Sequence, residues 1–287
     1  MKSDKDNSCA VLYSGGTDST CSAALMAEKF AVVHLLTFYQ NKKPQTGQIE
    51  KTIAKLQKKF PKTRFVHRVI ETTRLVEHLS YDRYLAYFFR HGWLVLSTPG
   101  FTTLSWHMSA IIYCRKNGVA VVADGLTREL MHFPGHMDAV IKIFKKMYEG
   151  FGISYINPVR SWKTPPDQQF IDRLIVDQHG FYLPGGPAKT GLAGTTGQYL
   201  YKLGVMPNPN VKGSSLDHRM QFDCYPFVLY NMVVFWLYLN FASYENLCLK
   251  MAELFLEKTR DAKILLEGYF QKGKTSRLAS LLDKAFL

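Results

Sequence analysis

The sequence predicts an α/β protein: a doubly wound parallel sheet followed by a mostly helical C-terminal region. Three observations predict it. Over the first half, short apolar runs alternate with stretches of helical periodicity. A stretch rich in glycine and hydroxyls, Ser14–Thr20 (SGGTDST), lies where the first apolar run feeds the first helix. Beyond about residue 160 the alternation stops. Strands alternating with helices imply a parallel sheet covered on both faces, with right-handed crossovers.

In chain order, residues 9–13 (CAVLY) read as a buried strand and 19–29 as a helix. Residues 31–38 (AVVHLLTF) form the second strand. Ile49, Ile53, Leu56 and Phe60 make an apolar stripe, so 46–60 is a helix with Lys51, Lys55, Lys58 and Lys59 off the stripe. Strands follow at 64–70, 119–123 and 153–156, and helices at 103–116 and 137–148. From Gly180 to Gly213 there are eight glycines and four prolines, which reads as loops with a short helix near Gln198–Leu203. Residues 224–270 look helical. The predicted division is residues 1–165 as a nucleotide-binding domain and 166–287 as a glycine-rich segment plus helical domain.

In SGGTDST, Gly15 and Gly16 permit backbone angles and close ligand approach that other residues resist. The first N–H groups of the following helix have no intrahelical partner and carry the positive end of its dipole. Such a turn suits a phosphate or pyrophosphate. The other reading is a Ser/Gly turn in which Asp18 and Ser19 only cap the helix. The stretch is not a Walker A loop, which needs G-x-x-x-x-G-K-[ST].

Ser14–Ser19 resembles the SGGxDS signature of the ATP pyrophosphatases, the PP-loop superfamily. Several further segments are similar to its 7-cyano-7-deazaguanine synthase branch, over roughly residues 9 to 180. They are Phe38-Tyr39-Gln40 with Glu50, the run Ala123–Glu129, Phe133-Pro134 with Asp138, and Ile156-Asn157-Pro158-Val159 with Trp162-Lys163-Thr164. The resemblance implies a Rossmann-like fold, ATP and Mg2+ as ligands, and cleavage of ATP to AMP and pyrophosphate. It implies that Ser14, Gly15, Gly16, Thr17, Asp18, Ser19 and Thr20 cradle the phosphates, with Ser14, Asp18 and Lys163 catalytic. Phe38 and Gly125 would border the nucleotide. Asp18 and Glu129 would hold Mg2+, with Asp124 an alternative to Glu129 for the metal or the acceptor. The chain departs from that branch in lacking its four zinc-binding cysteines, so no zinc is expected.

A net charge of +13 favours polyanions: ATP, nucleic acid or an anionic membrane surface. The five cysteines are scattered and Met1–Asn7 lack the apolar stretch of a secretory signal, which predicts a cytoplasmic protein with reduced thiols. Cys224–Tyr244 carries no charge over 21 residues, long enough to span a bilayer. Pro226, Asn231 and Asn240 favour a buried helix or a homodimer interface instead. Gly268–Thr275 (GYFQKGKT) matches Walker A letter for letter, but a helical stretch precedes it and no strand does. His132 and His136 are four apart with Pro134 and Gly135 between them, which breaks the helix a metal pair needs.

The leading expectation is a synthetase that adenylates an acceptor, either a small molecule or a macromolecule, at a carboxylate or carbonyl oxygen. AMP is then displaced by ammonia, an amine or sulfide. The alternatives are a tRNA-modifying enzyme of the same superfamily, with Cys224 as the candidate thiol, and a non-catalytic ATP-sensing subunit of a multiprotein complex.

Overall fold

Cys9, Val11 and Tyr13 alternate with Ala10 and Leu12, and every one of them has a packing partner, because the first strand lies between two hydrophobic cores. The computed structural model describes residues 7–41, 46–128, 133–162, 195–209, 230, 233–234 and 238–282. Among these, β1 (Ser8–Leu12), β2 (Val32–Tyr39), β3 (Arg64–Glu71), β4 (Val121–Ala123) and β5 (Ser154–Ile156) form one parallel sheet. The strand order is β3-β2-β1-β4-β5. The winding reverses between β1 and β4; in open sheets of this kind ligands bind beyond the carboxyl ends of the strands at such a point.

The α/β fold and its parallel sheet are as the sequence predicts. One face of the sheet carries α1 (Thr17–Ala27) and α2 (Gly47–Lys59). There Cys9, Val11, Val33 and Leu35 meet Cys21, Ala24, Ile49 and Leu56. Small residues on α1 let it lie close to the sheet. The other face carries α3 (Thr73–Tyr81), α5 (Thr98–Asn117) and α6 (Asp138–Glu149). There Ala10, Leu36, Phe38 and Ile70 meet Leu75, Phe101, Met108 and Phe144. Leu200 of α7 (Thr196–Lys202) joins the first core, and Leu247, Met251 and Phe255 of α8 (Tyr244–Lys272) join the second.

Two elements were not expected from the sequence: α3 and the short α4 (Tyr84–His91). Leu75, Val76 and Leu79 bury the inner side of α3, but Arg83 takes a left-handed turn (φ 52°) and α4 buries only Tyr87. α5 starts at Thr98 rather than 103 because Pro99 sits in its first turn, where a missing N–H costs nothing. No helix among the described residues is long and apolar enough to cross a membrane. Most of Cys224–Tyr244 lies outside those residues. On α8, Lys258 is buried; it donates to the Leu79 carbonyl at 2.6 Å and lies 3.8 Å from the centre of the Tyr87 ring.

Candidate active site

β1 ends at Leu12 and α1 begins at Thr17, so SGGTDST is the turn at the carboxyl end of the central strand. Gly15 has φ +84°, a left-handed conformation that a side chain at this position would resist. Gly16 is the N-cap and supplies no side-chain cap; the first helical bond runs from Thr20 N–H to the Gly16 carbonyl at 3.0 Å. The two serines that flank the glycines face each other. Ser19 Oγ donates to the Gly16 carbonyl at 3.1 Å. Having spent its proton there, Ser19 accepts from Ser14 Oγ at 3.1 Å, while Ser14 Oγ accepts from Gly16 N–H at 3.3 Å. Ser14 is exposed, Asp18 half-buried, and Gly15, Gly16, Thr17, Ser19 and Thr20 buried.

The turn is supported from beneath. Thr37 of β2 donates to the Tyr13 carbonyl at 2.8 Å and lies 2.9 Å from His67 Nε2. Thr37 has one proton to give, so His67 Nε2 is the donor in the second contact. Burial is the main cause that lowers the His67 pKa, consistent with a neutral ring. The Tyr13 hydroxyl pairs with Thr20 Oγ1 at 3.3 Å, and burial pushes that phenol up to about 12.

Gly125 sits just after β4. A Cβ there would lie 2.5 Å from Ser19 N and 2.7 Å from Ser19 Cα. Only glycine lets the end of β4 lie against the start of α1, which brings the two central strands' carboxyl ends together around the turn. Asp124 beside it is no surface ligand: it is 2% exposed. Its carboxylate accepts from Tyr155 Oη, from Asn157 Nδ2 at 3.1 and 3.0 Å, and from Leu126 N–H at 3.1 Å. Burial raises its pKa, against the lowering by these donors and by Arg160. Arg160 in turn joins the Thr127 carbonyl, the His136 carbonyl and Asp138. Asp124 and Arg160 thus brace the segments that follow β4 and β5.

Phe38 is 6% exposed and stacks on Trp106 with ring centres 6.0 Å apart, so its place at the end of β2 is within the core on the α5 side. Lys163, Glu129, His132 and Cys224 lie outside the described residues. Burial raises the thiols of Cys9, to about 12, and of Cys114 and Cys248. Burial disfavours the thiolate at each of them.

Thr196 carries no motif and was not expected at the site. This residue opens α7 and donates its hydroxyl to Asp18 Oδ1 at 2.6 Å. It is 2% exposed. No group of three or more His, Cys, Asp or Glu that could hold a metal occurs among the described residues. A magnesium ion bound with a nucleotide does not need one, since a carboxylate, phosphate oxygens and waters complete its shell.

The chain matches no family model and no curated protein. Among solved structures it is similar to a protein from Methanocaldococcus jannaschii described as a predicted subunit of tRNA methyltransferase. Identity is 19%, covering 61% of this chain and 90% of that one, with a TM-score of 0.36. It is also similar to an NMN synthetase from Francisella tularensis, with 14% identity, 90% and 87% coverage and a TM-score of 0.42.

Proposed function

We propose that this protein is an ATP-dependent synthetase of the ATP-pyrophosphatase type, which adenylates an acceptor and releases pyrophosphate. One observation carries the reading. SGGTDST is the turn between the central strand and its helix at the point where the winding reverses, with Gly125 lying directly against it. That arrangement gathers two glycines and the unpaired N–H groups of the α1 N-terminus at one turn, which suits a polyphosphate.

An acceptor oxygen, most simply a carboxylate, attacks the α-phosphate. The bond from the α-phosphorus to the bridging oxygen breaks, and that oxygen leaves with the pyrophosphate. Charge develops on the departing group. The unpaired N–H groups at the start of α1 oppose it, together with the Ser14 hydroxyl once that turns from Ser19 to a phosphate oxygen. Both hydroxyl protons are committed within the turn, Ser19 to the Gly16 carbonyl and Ser14 to Ser19, so a phosphate oxygen must take the Ser14 proton over from Ser19. Mg2+, held by Asp18 and phosphate oxygens, would neutralise phosphate charge when bound; Glu129 and Lys163 complete the set in this reading. A nucleophile then displaces AMP from the adenylate.

Competition calorimetry tests the assignment. ATP should bind with Mg2+, pyrophosphate should compete for the site, and Asp18→Ala should weaken both on the order of 100-fold. ATP affinity unchanged in Asp18→Ala and Ser14→Ala would remove the loop from nucleotide binding.

A further inference from the structure

We infer that Thr196 is a positioning residue for the nucleotide loop: it fixes the Asp18 carboxylate from a helix that belongs to the C-terminal half of the chain. The inference rests on the proposed nucleotide site and adds to it a residue that no part of the SGGTDST motif contains.

The placement of Thr196 is determined locally. Thr195 is the N-cap of α7, and its capping box is complete: Gln198 N–H donates to Thr195 Oγ1 at 3.2 Å, and Thr195 N–H donates to Gln198 Oε1 at 3.3 Å. The reciprocal pair sets where the helix starts, so Thr196 is held at its first position. α7 is then fastened to the α1 side of the sheet at several separate points. Tyr199 donates to Glu28 Oε1 at 2.6 Å, at the end of α1. Lys55 of α2 donates to the Val205 carbonyl at 3.1 Å. Leu200, Val205 and Met206 enter the core shared by α1 and α2, and Trp162 packs edge-on against Tyr199. Gly197 completes the fit: a Cβ there would lie 2.4 Å from the Pro209 carbonyl oxygen and 3.9 Å from Thr17 Cγ2.

With the helix held at both ends, the Thr196 hydroxyl has a fixed position, buried, 2.6 Å from Asp18 Oδ1. A hydroxyl donating to a carboxylate at that distance is a charge-assisted bond and restricts the carboxylate to one rotamer. Asp18 is the acid placed in the first turn of α1, beside the phosphate cradle. Fixing it before the nucleotide arrives removes an ordering cost from binding. A role in stability alone would move the melting temperature and leave nucleotide affinity where it was.

Titration calorimetry of the full chain with Mg-ATP, beside thermal denaturation without nucleotide, separates the possibilities. Thr196→Val should raise the Kd for Mg-ATP about tenfold, and Thr196→Ser, which keeps the hydroxyl, should restore most of it. Thr196→Ala repeats the deletion without a β-branched side chain, so the comparison survives if the valine variant does not fold. In an Asp18→Ala background, Thr196→Val should add no further loss, because the residue acts through Asp18. Wild-type affinity in both Thr196→Val and Thr196→Ala would overturn the positioning role while leaving the nucleotide site intact. So would a loss that Thr196→Ser fails to restore. A wild-type protein that binds no Mg-ATP would overturn the nucleotide reading itself, and the role of Thr196 with it.

Discussion

Two stretches of this chain carry the letters of a phosphate-binding turn, and they are built in opposite ways. SGGTDST follows the central strand of a sheet, is propped by Thr37 and His67 from beneath, and has the end of β4 pressed against its backbone. GYFQKGKT, Gly268–Thr275, ends the 29-residue α8. Gly268 is inside that helix with open space around it, and Gly273 (φ +58°) is its C-cap. Thr275 Oγ1 donates to the Lys272 carbonyl at 2.9 Å. Phe270 packs on Phe151, and Tyr269 is buried with Lys116 over its ring. The turn after α8 follows the carbonyl end of a helix, where the dipole is negative and repels phosphate. The lesson is that a phosphate turn is defined by what precedes it: a strand delivers the chain to the positive end of the next helix, and a helix delivers it from its own negative end.

The contrast should be widest in nucleotide affinity. Ser14→Ala and Asp18→Ala should each weaken Mg-ATP binding on the order of 100-fold, whereas Lys274→Ala and Thr275→Ala should leave it within about twofold. Calorimetry checks both pairs, and equal losses in the two turns would erase the distinction. Next come the glycines. Gly125→Ala places a methyl 2.5 Å from the Ser19 amide nitrogen, against backbone that cannot give way. It should cost about 1–3 kcal/mol in denaturant unfolding and weaken ATP binding with it. Gly268→Ala meets nothing and lies in a helix interior, so it should stabilise by about 0.5–1 kcal/mol with no effect on nucleotide.

The smallest expected effect concerns pH and the middle of α8. Burial brings the Lys258 ammonium down to about 8, against the raising by Asp261 and Asp82. The folded-state pKa is therefore below the unfolded one. Between about pH 8 and 10.4 the unfolded chain holds a proton at this lysine that the folded chain has released, so stability rises with pH across that window. Urea unfolding of the wild type against Lys258→Met, from pH 7.5 to 10, should show the difference moving toward the wild type by on the order of 1–3 kcal/mol. A pH-independent difference would mean that Lys258 stays charged beside Tyr87 and the Leu79 carbonyl.

The sheet was legible because β1 and β2 are continuous apolar runs, as strands buried on both faces must be. α3 and α4 escaped because residues 73–91 are broken by the left-handed Arg83, and α4 places aromatics on its outer side, with Leu85 and Phe89 exposed, as well as its inner one. The two helices are nine and eight residues long, shorter than the stretch over which a helical period shows itself. The turn between β1 and α1 was readable because its strand–glycine–helix pattern is contained in seven consecutive residues. Its surroundings were not. An acid at a strand end looks the same in sequence whether it faces ligand or, like Asp124, is consumed by Tyr155 and Asn157. Thr196 reaches Asp18 across 178 positions, and no local pattern encodes a contact of that range.

Product identity tests adenylation by this protein most directly. ATP labelled at the α-phosphate would be incubated with Mg2+, purified protein and a small-molecule extract of the host, beside an Asp18→Ala control, and the nucleotides separated. Label should appear in AMP, with stoichiometric pyrophosphate, and be lost in the control. Label in ADP with free phosphate, at the same rate in the control, would contradict adenylation and return attention to the lysine turn at the end of α8.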